Sequence, residues 1–133
     1  MSTARVLVID DNAMNVELVT YVLSADDFEV ESAADAREAL VRIEAAAPDL
    51  ILMDIQMPDI DGLELTRRLK AAPATRHIVV VAFTAYAMKG DEARTRAAGC
   101  DGYLSEPIDV ATFAAKVRAH LGAGGPEVRP GSA

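Results

Sequence analysis

The stretch Ile51–Pro58, with the sequence ILMDIQMP, predicts the central strand of the protein and its first candidate functional residue. An apolar run that stops at a carboxylate and a proline is typical of a strand buried on both faces of a parallel sheet. A charge in the middle of such a strand would cost several kcal/mol. We therefore expect Asp54 at the strand's carboxyl end, facing the crevice where open α/β sheets bind ligands. Taken alone, Asp54 is equally well explained as a turn residue near the proline.

Composition limits the fold and the partners. With 133 residues, 51% hydrophobic and 26% charged, the chain fits one globular domain. A net charge of −8 argues against binding to a nucleic-acid backbone, which needs clustered cations. Neither a membrane span of roughly 20 apolar residues nor a signal peptide is predicted. The single cysteine, Cys100, excludes an intrachain disulfide, is expected as a small buried hydrophobe, and is compatible with a cytoplasmic location.

Strand-like and helix-like segments alternate along the chain. The strand-like runs are 6–9, 28–32, 51–54, 78–83 and 102–105, and the run at 28–32 alternates as a half-exposed edge strand does. The apolar faces predicted for the five helices are Met14, Val16, Leu18, Val19, Val22 and Leu23; Ala39, Leu40 and Ile43; Leu63, Leu65 and Leu69; Ala93, Ala97 and Ala98; and Val110, Phe113, Ala114, Val117 and Leu121. About five βα units predict a doubly wound parallel sheet with helices on both faces, with the strand order left open.

Helix-capping residues support these boundaries. Asn12 and Asp109 are predicted N-caps, and Asp35 with Glu38 has the spacing of a capping box. Gly99 is the predicted C-terminal glycine of the fourth helix. Residues 122–133 contain four glycines and two prolines. We therefore predict a domain over residues 1–121 and a flexible tail over 122–133.

The carboxyl ends of the predicted strands bring polar residues to one edge of the sheet, namely Asp10, Asp11, Asp54, Thr84 and Glu106. Carboxylates about 5 Å apart repel by roughly 3 kcal/mol per pair even at an effective dielectric constant of 20. A hard divalent cation would compensate, and Mg²⁺ prefers a few carboxylates together with waters. With that metal, Asp54 is a candidate nucleophile that would form an aspartyl phosphate, and Thr84 a candidate donor to a phosphoryl oxygen.

At this point the chain resembles a known family. Over Arg5–Leu121 it resembles the response-regulator receiver domain of two-component signalling, and the segment 87–92 is similar to single-domain receivers and to receiver modules of hybrid kinases. The motifs that carry the resemblance are Val8-Ile9-Asp10-Asp11-Asn12, Leu52–Pro58, Asp61-Gly62, Phe83-Thr84-Ala85 and Tyr103-Leu104-Ser105-x-Pro107.

The resemblance implies a flavodoxin-like fold and a set of roles. Asp54 would be the phosphoacceptor. Asp11 and Asp54 would bind Mg²⁺ directly, Asp10 partly through water, and the Gln56 carbonyl would complete the protein ligands. The resemblance also implies that Gln56 and Tyr86 tune the lifetime of the phosphate.

A second group of residues would transmit the signal. Thr84, Ala85 and Tyr103 would contact the phosphoryl group or couple it to the surface. The implied partners are a histidine kinase or phosphotransfer protein and a downstream protein that binds the Ala85–Leu121 surface. No output segment is recognised after Leu121, so a protein contact is the expected output.

Glu106 departs from the family pattern, which has a lysine at this position. The family lysine bonds the acceptor carboxylate and then the phosphoryl group. A carboxylate there would weaken phosphorylation, and Lys89 is the only lysine placed by the sequence near enough to substitute. The fold and metal site are expected to be unaffected.

Three functions remain open at the sequence level. The favoured one is a stand-alone response regulator that acts as a phosphoacceptor, not as an enzyme, although it can react with small phosphodonors. The alternative is a phosphorylation-independent interaction module fixed in one state by Glu106. A metal-dependent phosphatase ranks third because Gln56 stands where such enzymes carry a second acidic residue. His77 and His120 each stand alone and are not expected to be metal ligands or phosphorelay histidines.

Overall fold

The structure is a computed structural model, and it describes residues 4–54, 62–84, 90–105 and 109–124. The described elements alternate between strand and helix. In chain order they are β1 (Arg5–Ile9), α1 (Ala13–Ser24), β2 (Glu29–Ala33), α2 (Ala36–Ala45), β3 (Leu50–Asp54), α3 (Gly62–Ala71), β4 (Val79–Thr84), α4 (Asp91–Ala98), β5 (Gly102–Ser105) and α5 (Phe113–Gly124). Helix α5 thus continues beyond Leu121, where the sequence placed the end of the domain.

The strands form one parallel sheet in the order β2-β1-β3-β4-β5. This is the flavodoxin-like order, in which the chain reverses direction across the sheet between β1 and β3. The predicted doubly wound sheet is therefore confirmed, and the order that the sequence left open is now defined. The half-exposed strand β2 lies at the edge, as its alternating pattern predicts.

Two apolar layers cover the sheet, one on each face. On one face, Val19 and Leu23 of α1 and Val117 of α5 pack against alternate residues of β1, β3 and β4. On the other face, Ile43 of α2 and Leu65 of α3 pack against the remaining strand residues. Because both faces are covered, the central strands are apolar at nearly every position, as parallel strands usually are.

Side-chain hydrogen bonds fix the helix starts that position the site. The Asn12 side chain accepts hydrogen bonds from the backbone of Met14 and Asn15 and so caps α1. The Asp35 carboxylate accepts from the Glu38 backbone at 2.8 Å, as the predicted capping box requires, but the Glu38 carboxylate accepts from the backbone of Ala34, one residue before the cap, and not from that of Asp35. Gly99 ends α4 with a φ of 109°, the left-handed conformation that glycine adopts without steric cost.

The predicted apolar faces of α1 and α2 are wrong in part. Met14 is 79% exposed and Leu18 is 40% exposed, whereas Val19, Val22 and Leu23 are buried. Met14 and Leu18 are about one helical turn apart on the side of α1 that faces away from the sheet. Leu40 of α2 is likewise 37% exposed.

The predictions for α4 and the start of α5 also need correction. In α4, Ala98 is buried but Ala93 and Ala97 are exposed, and Thr95 is buried as well. Its hydroxyl donates to the Glu92 carbonyl at 2.8 Å, which removes the cost of burying it. Val110 is 57% exposed because it lies in the turn before α5, where the Asp109 carboxylate accepts from the Ala111 backbone.

Candidate functional site

Three carboxylates meet at the carboxyl edge of the sheet. Asp10 and Asp11 directly follow β1, and Asp54 is the last residue of β3, the neighbouring strand. The register places Ile9 beside Met53, so the two strands end at the same level. As a result, one carboxylate oxygen from each of the three aspartates lies within 4.8 Å of the other two. The convergence predicted from the sequence is confirmed for these three residues.

The three side chains differ in their access to solvent. Asp10 is 4% exposed, Asp54 is half-buried and Asp11 is exposed. Of the three carboxylates, Asp11 is therefore the most accessible from solution and Asp10 the least.

The N-terminus of α1 holds the Asp10 side chain in place. Oδ1 of Asp10 accepts a hydrogen bond from the Asn12 backbone N–H at 2.8 Å, and Oδ2 of Asp10 accepts one from the Asn15 side-chain amide at 3.4 Å. The Asp10 backbone N–H donates to the Ala33 carbonyl of β2 at 3.0 Å. The sequence did not predict a role for Asn15, because which side chain at the start of α1 reaches Asp10 depends on the orientation of the helix.

Electrostatics favour a cation at this cluster. At 4.8 Å two carboxylates repel by about 3.5 kcal/mol at an effective dielectric constant of 20, and less where solvent screens them. Carboxylate oxygens are the ligands that hard divalent cations such as Mg²⁺ prefer. Asp10, Asp11 and Asp54 thus fit a divalent metal ion in both donor type and spacing.

Thr84 lies at the same edge by its backbone. It is the last residue of β4 and pairs with Ser105, the last residue of β5, while Phe83 pairs with Asp54. The β4 backbone therefore extends one residue beyond the level of Asp54 on the neighbouring strand.

Tyr103 lies one strand further from the acidic cluster. It pairs with Ala82 in the sheet, and its half-buried ring packs against the core on the side of α2 and α3. The other predicted site residues, Gln56, Ala85, Tyr86 and Glu106, lie outside the described residues, as does Lys89.

The remaining candidate residues lie apart from the cluster. Among the described residues, Asp10, Asp11 and Asp54 form the one group of three or more potential metal ligands, and it contains no histidine. His77 is exposed before β4, and the His120 ring lies against Gly102 of β5. Cys100 is 8% exposed, which confirms the predicted small buried residue, and burial raises the pKa of its thiol.

No helix within the described ranges has the length and apolar character needed to cross a bilayer.

Comparisons of the chain with known proteins agree on one family. The family model described as "Response regulator receiver domain" matches residues 6–118. The polar-differentiation response regulator DivK of Brucella ovis is 43% identical over 120 residues, which cover 90% of this chain and 98% of the relative. DivK of Brucella anthropi is 44% identical over 117 residues, covering 88% of this chain and 95% of the relative.

Solved structures agree with the sequence relatives. The CheY-like receiver domain protein of Methanospirillum hungatei superposes with a TM-score of 0.83 at 28% identity, covering 92% of this chain and 97% of that one. The receiver domain of a signal transduction histidine kinase from Syntrophus aciditrophicus gives a TM-score of 0.81 at 28% identity, covering 91% and 92%. The expected resemblance is confirmed: the chain belongs to the response regulator receiver domain family of two-component signalling.

Proposed function

We propose that this chain is a stand-alone response regulator that accepts a phosphoryl group at Asp54 in a Mg²⁺-dependent reaction and signals through protein contacts. The observation that carries the proposal is the convergence of Asp10, Asp11 and Asp54, with carboxylate oxygens within 4.8 Å of one another at an open edge of the sheet. The family membership supports it.

Asp10, Asp11 and Asp54 would hold the metal ion together with the backbone carbonyl of Gln56. When bound, Mg²⁺ supplies positive charge that offsets the carboxylates and stabilises the negative charge of a phosphoryl group in transfer. The half-buried Asp54 can be approached from solution, whereas the buried Asp10 keeps a fixed position.

The proposed transfer joins an Asp54 carboxylate oxygen to phosphorus. As this bond forms, the bond from phosphorus to the donor breaks, and its electron pair goes to the leaving group. With a histidine kinase or phosphotransfer protein the leaving group is an imidazole, which takes a proton as needed from solvent. With acetyl phosphate it is acetate. Attack by water on the same phosphorus later returns the Asp54 carboxylate and inorganic phosphate. This self-directed chemistry is the only reaction that the proposal assigns to the chain.

Transmission of the signal would begin at β4 and β5. Thr84 and Ala85 would bond the phosphoryl oxygens, and Tyr103 would change its packing in response. The pairing of Thr84 with Ser105 supports this route because it joins the end of β4 to the strand that contains Tyr103. A downstream protein would then bind the Ala85–Leu121 surface. Gln56 and Tyr86 would set the lifetime of the phosphate.

We also propose that the protein is cytoplasmic and has no nucleic-acid or membrane partners. The acidic net charge of −8 supports the absence of nucleic-acid binding. The receiver domain would occupy residues 1–121, with the continuation of α5 to Gly124, and the remaining residues would form a tail.

Glu106 favours a second candidate function. Because it replaces the lysine that receivers carry, the chain would be a phosphorylation-independent interaction module if the added negative charge prevents phosphoryl binding. If a carboxylate replaced an ammonium about 5 Å from the phosphoryl group, the interaction energy of the two groups would change by about 6 kcal/mol at an effective dielectric constant of 20. This is an upper bound before solvent screening.

Beryllofluoride, a mimic of the phosphoryl group, distinguishes the two functions. A phosphoacceptor would bind it only with Mg²⁺, which would raise the melting temperature, and Asp54→Asn would not respond. If beryllofluoride does not change the melting temperature of the wild-type chain in saturating Mg²⁺, the phosphorylation-independent module is favoured.

The variant Glu106→Lys tests the role assigned to Glu106. It should increase the rate or extent of Asp54 phosphorylation and raise the Mg²⁺ dissociation constant, because a carboxylate near the cation is replaced by an ammonium. If the wild-type chain is phosphorylated readily and the lysine variant no better, Glu106 does not hinder the reaction.

A further inference from the structure

Among the described residues, Asn15 is the one whose side chain donates a hydrogen bond to the carboxylate of Asp10. Its amide donates to Oδ2 at 3.4 Å, while the Asn12 backbone N–H donates to Oδ1 at 2.8 Å. We infer that Asn15 is a positioning residue for the metal site, which acts by fixing the orientation of the Asp10 carboxylate. This inference rests on the proposed metal-dependent function and extends it to a residue that would not touch the metal.

Burial makes the orientation of Asp10 depend on protein donors. Asp10 is only 4% exposed, so water cannot freely replace a donor that is lost. With one donor on each oxygen, rotation of the carboxylate about its last bond would break both hydrogen bonds. Each oxygen still keeps a second lone pair, which is free to face a cation or a water bound to it.

Asn15 is itself held firmly. Its backbone N–H donates to the Asn12 side chain at 3.1 Å, and its side chain is half-buried in the first turn of α1. The same Asn12 residue therefore caps the helix, supplies one donor to Asp10, and orients the residue that supplies the other. The start of α1 and the acidic pair form one unit, which transmits the position of the helix to the metal site.

Residues that orient metal ligands have measurable effects on affinity. Loss of such a partner typically weakens metal binding about 10- to 100-fold. Because the Asn15 bond is long at 3.4 Å, we expect the lower end, about tenfold. A purely structural role would instead lower the stability of the metal-free protein and leave the Mg²⁺ dissociation constant unchanged.

The test is calorimetric titration of the full chain with MgCl₂ for the wild type, Asn15→Leu, Asn15→Ala and Asn15→Gln. Leu keeps the approximate size of the side chain without a donor, Ala removes the donor without adding bulk, and Gln keeps an amide. Thr20→Val is the matched control, since Thr20 is a half-buried polar residue of the same helix, outside the site. Metal-free melting curves of all variants accompany the titrations.

The inference predicts that Asn15→Leu and Asn15→Ala both raise the Mg²⁺ dissociation constant about tenfold. Asn15→Gln should recover part of the affinity, and the metal-free melting temperatures should resemble that of Thr20→Val. If the wild type binds Mg²⁺ and the Leu and Ala variants bind it equally well, Asn15 has no positioning role, while the proposed function stands. If the wild type does not bind Mg²⁺, the proposed function fails and the inference with it.

Discussion

Replacing Asp54 by Asn should change stability in opposite directions with and without metal. Asp54 forms two of the three carboxylate pairs whose oxygens lie within 4.8 Å. The amide has nearly the same shape, so the substitution removes charge with little change in packing. Metal-free protein should therefore become more stable, whereas the stabilisation that Mg²⁺ provides should be lost.

The magnitude follows from the spacing and the exposure. Each pair at 4.8 Å repels by about 3.5 kcal/mol at an effective dielectric constant of 20, before further screening by solvent. Solvent screens the pair with the exposed Asp11 strongly and the pair with the buried Asp10 less. We expect a net gain of about 1.5 kcal/mol, which raises the metal-free melting temperature by about 5 °C in a chain of this size. In the wild type, Mg²⁺ at a hundred times its dissociation constant adds about 2.7 kcal/mol.

Thermal unfolding followed by circular dichroism, with EDTA or with Mg²⁺, measures both effects. Asp27→Asn is the matched control: it makes the same change in net charge at an exposed residue, at the opposite end of the sheet, where a φ of 69° suits asparagine. A melting temperature of Asp54→Asn below that of the wild type in EDTA, or an equal gain of both proteins from Mg²⁺, would contradict this prediction.

Other parts of the structure give independent predictions. Gly102→Ala should destabilise the fold by about 1–3 kcal/mol in urea unfolding, because its added Cβ would lie 2.6 Å from Nδ1 of His120; a neutral result would show that the His120 ring moves aside at little cost. Cys100 should react slowly with iodoacetamide at pH 8 and rapidly in urea, since burial raises the pKa of its thiol and leaves little thiolate; fast modification of the native protein would contradict its burial. Truncation after Gly124 should leave the melting temperature nearly unchanged, because the sequence beyond it offers little apolar surface to bury; a cooperative loss of several degrees would show that this segment docks on the domain.

The fold was predictable because local signals agreed with one another. The apolar strand runs and the helix caps Asn12 and Asp35 appear in the structure where the sequence placed them. The apolar faces of helices were less predictable. Met14 and Leu18 are apolar but exposed, since many apolar residues of a folded protein remain at its surface. Which apolar residues of α1 are buried depends on the side of the helix that packs against the sheet, and that side carries Val19 and Leu23.

The acidic site was predictable from topology, since the ends of parallel strands share an edge. Asn15 was not, because its role depends on the orientation of the first turn of α1 over Asp10, which no spacing rule specifies. Thr95 was missed for a related reason: its hydroxyl bonds to its own helix, so a polar residue occupies a buried position at little cost.

Intact-mass spectrometry after incubation with acetyl phosphate and Mg²⁺ tests whether Asp54 is a phosphoacceptor. The wild-type chain should gain the mass of one phosphoryl group, and the gain should disappear with EDTA or in Asp54→Asn. A wild-type mass that stays unchanged in saturating Mg²⁺, or an equal gain in Asp54→Asn, would contradict the proposal that the three carboxylates form a phosphoryl-accepting metal site.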